Sequence, residues 1–116
     1  MDPIMTFEDA VPAAWRFRIR EWAAHQPRVA AVYVFGSRAK LKHHPDSDID
    51  LAVMMDGSSV GEQGANWMFR HDDALSSDEL VLPVRVDMWP ALESDEKVMP
   101  AVREHGRLLY ERGASY

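Results

Sequence analysis

The chain has 116 residues, 47% of them hydrophobic and 28% charged, the make-up of an ordinary globular domain with one modest core. Its formal net charge of −6, from 13 Lys and Arg against 19 Asp and Glu, argues against duplex DNA as a partner, because that binding needs a broad basic footprint. No apolar run reaches the roughly 18 residues of a membrane span, and with no cysteine neither disulfides nor thiolate metal sites can form.

Residues 1–10, MDPIMTFEDA, read as a loosely ordered lead-in. They lack the basic-then-apolar layout of a secretory signal, so a cytoplasmic protein is expected. Pro12 suits a first helical turn, where its missing N–H costs nothing. Trp15, Ile19, Trp22 and Ala23 then recur on one helical face, which predicts a helix from Ala13 to about Gln26, ended by Pro27.

VAAVYVF (29–35) is short, apolar and rich in β-branched residues, a strand covered on both faces. Gly36 breaks it, and a helix is predicted from Ser37 through the basic residues to about His43. The adjacent His43 and His44 belong to a solvated turn, followed by the turn chemistry of PDSD (45–48). IDLAVMM (49–55) is a second strand, with Met54 and Met55 filling core space. Residues 62–75 place Trp67, Met68, His71 and Leu75 at helical spacing, and SSDE is a loop. Trp15, Trp22 and Trp67 are core or interface residues, while Met68 and Met99 are candidates for an interface.

LVLPVRVDMW (80–89) alternates, with Leu82, Val84, Val86 and Met88 on one face and Pro83, Arg85, Asp87 and Trp89 on the other. A last helix over about 94–105, interrupted or begun anew near Pro100, precedes a short closing strand, RLLY (107–110). The expectation is a single α/β (α+β) domain over 1–116, with helices packed on a small mixed sheet of three or four strands.

The chemistry is concentrated between residues 36 and 50. Asp48 and Asp50 are two apart on a strand and project to the same side, where they repel unless a cation lies between them. A hard divalent ion such as Mg²⁺ prefers such oxygen ligands. Alternatively, Asp48 ends a turn and Asp50 sits at an exposed strand edge. Gly36 permits close backbone approach, and Ser37 lies where a helix N-terminus favours a phosphate. The succession of strand, Gly-Ser, basic segment, Asp-x-Asp and strand puts an anion cradle beside a carboxylate pair. Asp87 either completes a metal site, in which two ions would lie about 3.5–4 Å apart, or pairs with Arg85 or a nearby lysine. Trp89, on the strand face of Asp87, is a candidate nucleobase neighbour.

GSRAKLKHHPDSDIDLAV resembles the signature of the DNA polymerase β-type nucleotidyltransferases, and in particular of the small minimal nucleotidyltransferases. Gly36-Ser37 is followed by ten residues, 38–47, and then Asp48-Ile49-Asp50. RVDMW resembles the family's later strand and VREHGRLLYERG its terminal helix and strand, so the likeness runs over about residues 15–113. It implies the nucleotidyltransferase fold, with Asp48, Asp50 and Asp87 as Mg²⁺ ligands and catalytic residues, Asp87 the candidate base. Gly36 and Ser37 would hold the triphosphate of ATP, with Arg38 and Lys40 as further phosphate contacts. Lys40-Leu41-Lys42 departs from the family, which usually has a small residue or glycine after the basic one.

The resemblance also implies an antitoxin that transfers AMP to a tyrosine of an all-helical HEPN-type toxin, in a hetero- or homo-oligomer. The rival readings are a non-catalytic toxin-binding module and a transferase acting on a small molecule such as an aminoglycoside.

Overall fold

The computed structural model describes residues 6–68 and 80–114. Four strands, β1 (Val29–Phe35), β2 (Ile49–Met55), β3 (Val86–Pro90) and β4 (Arg107–Glu111), form one sheet in the order β3-β2-β1-β4. β1 pairs antiparallel with β2 and β4, whereas β2 and β3 are parallel, so the sheet is mixed as expected. The helices are α1 (Phe7–Ala10), α2 (Ala13–Ala24), α3 (Gly36–Ala39), α4 (Val60–Met68) and α5 (Val98–His105).

Alternation along the strands builds an apolar cluster on each face of the sheet. On one face, Val32 and Val34 of β1 and Ile49, Leu51 and Val53 of β2 pack with Ile19, Trp22 and Ala23 of α2. On the other, Ala52 packs with Val98, Met99 and Val102 of α5, flanked by Tyr33, Phe35 and Met54. Met55 is buried in the first cluster and Met54 borders the second, so both fill core space. Met99 is a core residue as well, not an interface one, while Met68 is exposed.

Several boundaries differ from expectation. Residues 6–10 are not a loose lead-in. Thr6 and Asp9 form a reciprocal capping box, with the Asp9 N–H donating to Thr6 Oγ1 at 3.2 Å and the Thr6 N–H donating to Asp9 Oδ2 at 3.0 Å, and α1 follows. The helix after Gly36 stops at Ala39, because Leu41 adopts a left-handed conformation, φ 59°. Lys42 N–H then donates to Ser37 O at 2.9 Å and Leu41 N–H to Arg38 O at 3.3 Å, closing the helix end.

Ladder pairing of β3 starts only at Val86, opposite Ile49. Residues 80–85 lie ahead of the start of β2, where that strand offers no ladder, and Pro83 has no N–H to donate. Pro100 does not interrupt α5. It is the helix's third residue, where its N–H would have no partner anyway. The helix predicted over 62–75 runs from Val60 to Met68, and its remainder, with the SSDE loop, lies outside the described residues. Among the described residues no helix is long and apolar enough to cross a membrane.

Candidate active site

The chain turns sharply where β1 becomes α3. Gly36 has φ +74°, and a Cβ there would collide with Oδ2 of Asp50. Only glycine meets both demands, a left-handed backbone and direct backbone contact with a carboxylate. The approach follows from register, since Phe35 and Asp50 are paired residues of β1 and β2.

On the other side of β2, Asp50 is the registered partner of Asp87. Parallel strands lie about 4.8 Å apart and paired side chains share a face, so these two carboxylates stand side by side. They are on the α5 face, opposite Ile49, Leu51, Val86 and Met88. Asp48, exposed, stands one residue before β2. Burial, then Asp87 and then Asp48 push the Asp50 carboxyl above its ordinary pKa, and a hydrogen bond from the Trp89 side chain partly opposes them. Asp87 also makes the ion pair anticipated as an alternative, accepting from Arg85 Nε at 3.1 Å. Arg85 is 75% exposed, so the pair is solvated and weak.

Among the described residues, no three Asp, Glu or His side chains are already drawn into a ready-made ligand set. The donors nevertheless suit a hard divalent cation: only carboxylate oxygens, two of them in register, with Asp50 bearing a repulsion that a cation would relieve.

Ser37, half-buried, follows Gly36 in the first turn of α3. Arg38 is not brought to the site. It is 2% exposed and its guanidinium donates to backbone carbonyls, to Ala10 O and Ser47 O at 2.8 Å and to Pro45 O at 3.1 Å, while stacking 4.9 Å from the Trp15 ring. These bonds replace the expected phosphate contact with a structural tie. Lys40 is exposed and ends α3. His43, expected in a solvated turn, is 5% exposed and its Nδ1 has no partner.

Phe35, Asp50, Trp89, Lys97 and Val98 line a cleft of about 250 Å³ on the carboxylate face. Alternation along β3 pointed to Trp89. Lys97 carried no signal, because the loop from Ala91 to Lys97 brings it back over the sheet end. A larger hollow of about 520 Å³ lies between α2 and Leu80–Val81, against the opposite cluster, away from these carboxylates.

The family model described as "Polymerase beta, Nucleotidyltransferase" matches residues 18–114. No curated protein matches the chain. Among solved structures, a candidate nucleotidyltransferase from Sulfolobus solfataricus is 18% identical with a TM-score of 0.57, covering 99% of this chain and 95% of that one. A toxin-antitoxin with AMP-PNP is 22% identical with a TM-score of 0.54, covering 84% of this chain and 74% of that one. A mutant of the toxin-antitoxin MntA-HpeT is 20% identical with a TM-score of 0.52 and the same coverages. At these identities the likeness to solved structures is one of fold.

Proposed function

Because the chain belongs to the polymerase beta nucleotidyltransferase family, we propose that it transfers AMP from ATP to a hydroxyl of a partner protein, a tyrosine of a HEPN-type toxin, and so acts as the cytoplasmic antitoxin of the pair. The observation that carries this reading is the registered pair Asp50 and Asp87, with Gly36 closed onto the first of them. The likeness to toxin-antitoxin structures, one of them with AMP-PNP, supports the choice of partner and nucleotide.

Asp48, Asp50 and Asp87 would hold Mg²⁺, which when bound neutralises triphosphate charge and makes the acceptor hydroxyl more acidic. The backbone at Gly36 and Ser37 receives the triphosphate. Asp87 takes the acceptor proton on a carboxylate oxygen. The acceptor oxygen then attacks the α-phosphorus in line, the bond to the bridging oxygen breaks and pyrophosphate departs. Catalysis of this kind is mostly positioning and charge stabilisation.

The test is to incubate the protein with Mg²⁺, labelled ATP and the product of the neighbouring gene. Label and mass should appear on that product, with pyrophosphate released, and both should vanish in Asp48→Asn and Asp50→Asn variants that keep the wild-type fold. A stable complex with no added mass would instead identify a non-catalytic binding module.

A further inference from the structure

Asp48 stands one residue ahead of β2, so no ladder pairing fixes it. Its backbone is nevertheless pinned from both sides. The Ser47 carbonyl oxygen and the Cα of Asp48 belong to one planar peptide unit. That oxygen accepts two hydrogen bonds from Arg38, from Nε at 3.1 Å and from Nη2 at 2.8 Å. The next peptide unit is held through the Ile49 N–H, which donates to Arg85 O at 2.9 Å. With a fixed plane on each side, the two backbone dihedrals of Asp48 have little freedom, and the direction of its Cα–Cβ bond is set.

Arg38 is itself anchored. It is 2% exposed, its Nη1 donates to Ala10 O at 2.8 Å, its Nη2 also donates to Pro45 O at 3.1 Å, and its guanidinium carbon lies 4.9 Å from the centre of the Trp15 ring. A planar fork can grip one carbonyl with two donors and still reach others, which an ammonium cannot. We infer that Arg38 is a positioning residue for Asp48: it fixes the backbone from which that carboxylate reaches the ion it would share with Asp50 and Asp87. The bond to Ala10 O makes α1 part of the same support. A ligand already ordered before binding gives up less freedom when the ion arrives. Supporting hydrogen bonds around metal ligands are typically worth about 10- to 100-fold in metal affinity or activity. Arg38 acts through the backbone and not on the carboxylate, so the lower end applies. The inference rests on the nucleotidyltransferase reading of the site.

Two measurements test it. In the metal-free wild type, ¹⁵N relaxation should give the Asp48 amide an order parameter of about 0.85, that of rigid backbone; a value below about 0.6 would overturn the inference. This reading needs no variant and decides alone if Arg38→Lys fails to fold. Mn²⁺ binding is then followed by electron paramagnetic resonance in the wild type, Arg38→Lys, Asp48→Asn, the double variant and Ile19→Val, which removes one carbon from the core. Mn²⁺ affinity should be about tenfold weaker in Arg38→Lys and unchanged in Ile19→Val. Adding Arg38→Lys to Asp48→Asn should cost nothing further, because the arginine acts through that carboxylate. Wild-type affinity in Arg38→Lys would overturn the inference, and so would an equal loss in Ile19→Val or a full tenfold loss on the Asp48→Asn background. If wild type and Asp48→Asn bind Mn²⁺ alike, Asp48 is no ligand, and the reading of the site fails together with the role of Arg38.

Discussion

Gly36 and His43 show how single positions in the signature segment are constrained by different physics. At Gly36 the constraint is spatial: Ala would place a Cβ against the Asp50 carboxylate on a backbone already at φ +74°. The left-handed conformation alone costs about 1–2 kcal/mol for a residue with a side chain. Gly36→Ala is therefore expected to lower the unfolding free energy measured by urea titration by that amount, and to slow nucleotidyl transfer about a hundredfold by displacing Asp50. At His43 the constraint is solvation. Burial, with the Arg38 charge adding to it, holds the imidazole pKa below its ordinary 6.5 against a smaller pull from Asp9. The folded state thus resists a proton that the unfolded chain accepts, so this contribution is neutral above pH 6.5 and turns destabilising as pH falls below it. Urea titrations at pH 7.5 and 5.5 should show a loss of stability on acidification that is smaller in His43→Phe. An equal loss in both would remove His43 as its cause.

At the scale of elements, the strands and the helix after the first strand were legible to different degrees. VAAVYVF and IDLAVMM carry their strand signal locally, and the Gly-Ser to Asp-x-Asp spacing is visible without a fold. Register then brings Gly36 to Asp50, and Asp50 to Asp87. What sequence could not show is where α3 ends. That is decided by Arg38, whose guanidinium reaches back 28 residues to Ala10 O and forward to the carbonyls of Pro45 and Ser47. His43 is buried beside this turn, and the chain reverses through Leu41 in a conformation leucine disfavours. Read along the chain, Arg38, Lys40 and Lys42 form one basic run; in the fold only the two lysines face water. Arg38→Lys checks this division of labour. Lysine has no planar fork, so it cannot serve several carbonyls at once, and buried carbonyls left without donors cost about 1–3 kcal/mol. The variant should lose stability on that scale in chemical denaturation. A phosphate-binding arginine would instead leave stability intact and raise the KM for ATP.

Over the whole molecule, the sheet tolerates an unfavourable charge arrangement, with Asp50 in register with Asp87 and within electrostatic reach of Asp48. Asp50 has its pKa raised, first by burial and then by the two other carboxylates. The sign follows from linkage: above the ordinary value of 3.8 the unfolded chain gives up this proton readily while the folded chain retains it, so stability declines as pH rises through that window. At neutral pH the ionised Asp50 therefore destabilises the fold, and removing its charge should help it. Asp50→Asn, nearly the same shape, is expected to unfold a few degrees higher than wild type in chelator, given roughly 4 °C per kcal/mol for a domain of this size. Divalent cation should reverse the order. An ion held only by the folded state adds about 2.7 kcal/mol at a hundredfold excess over its Kd, so Mg²⁺ should raise the wild-type Tm by about 10 °C and leave Asp50→Asn almost unmoved. Scanning calorimetry of both proteins, with and without Mg²⁺, reads the four values directly. A wild type that Mg²⁺ does not stabilise would mean that the acidic cluster is not maintained for a metal, and that its electrostatic cost serves some other end.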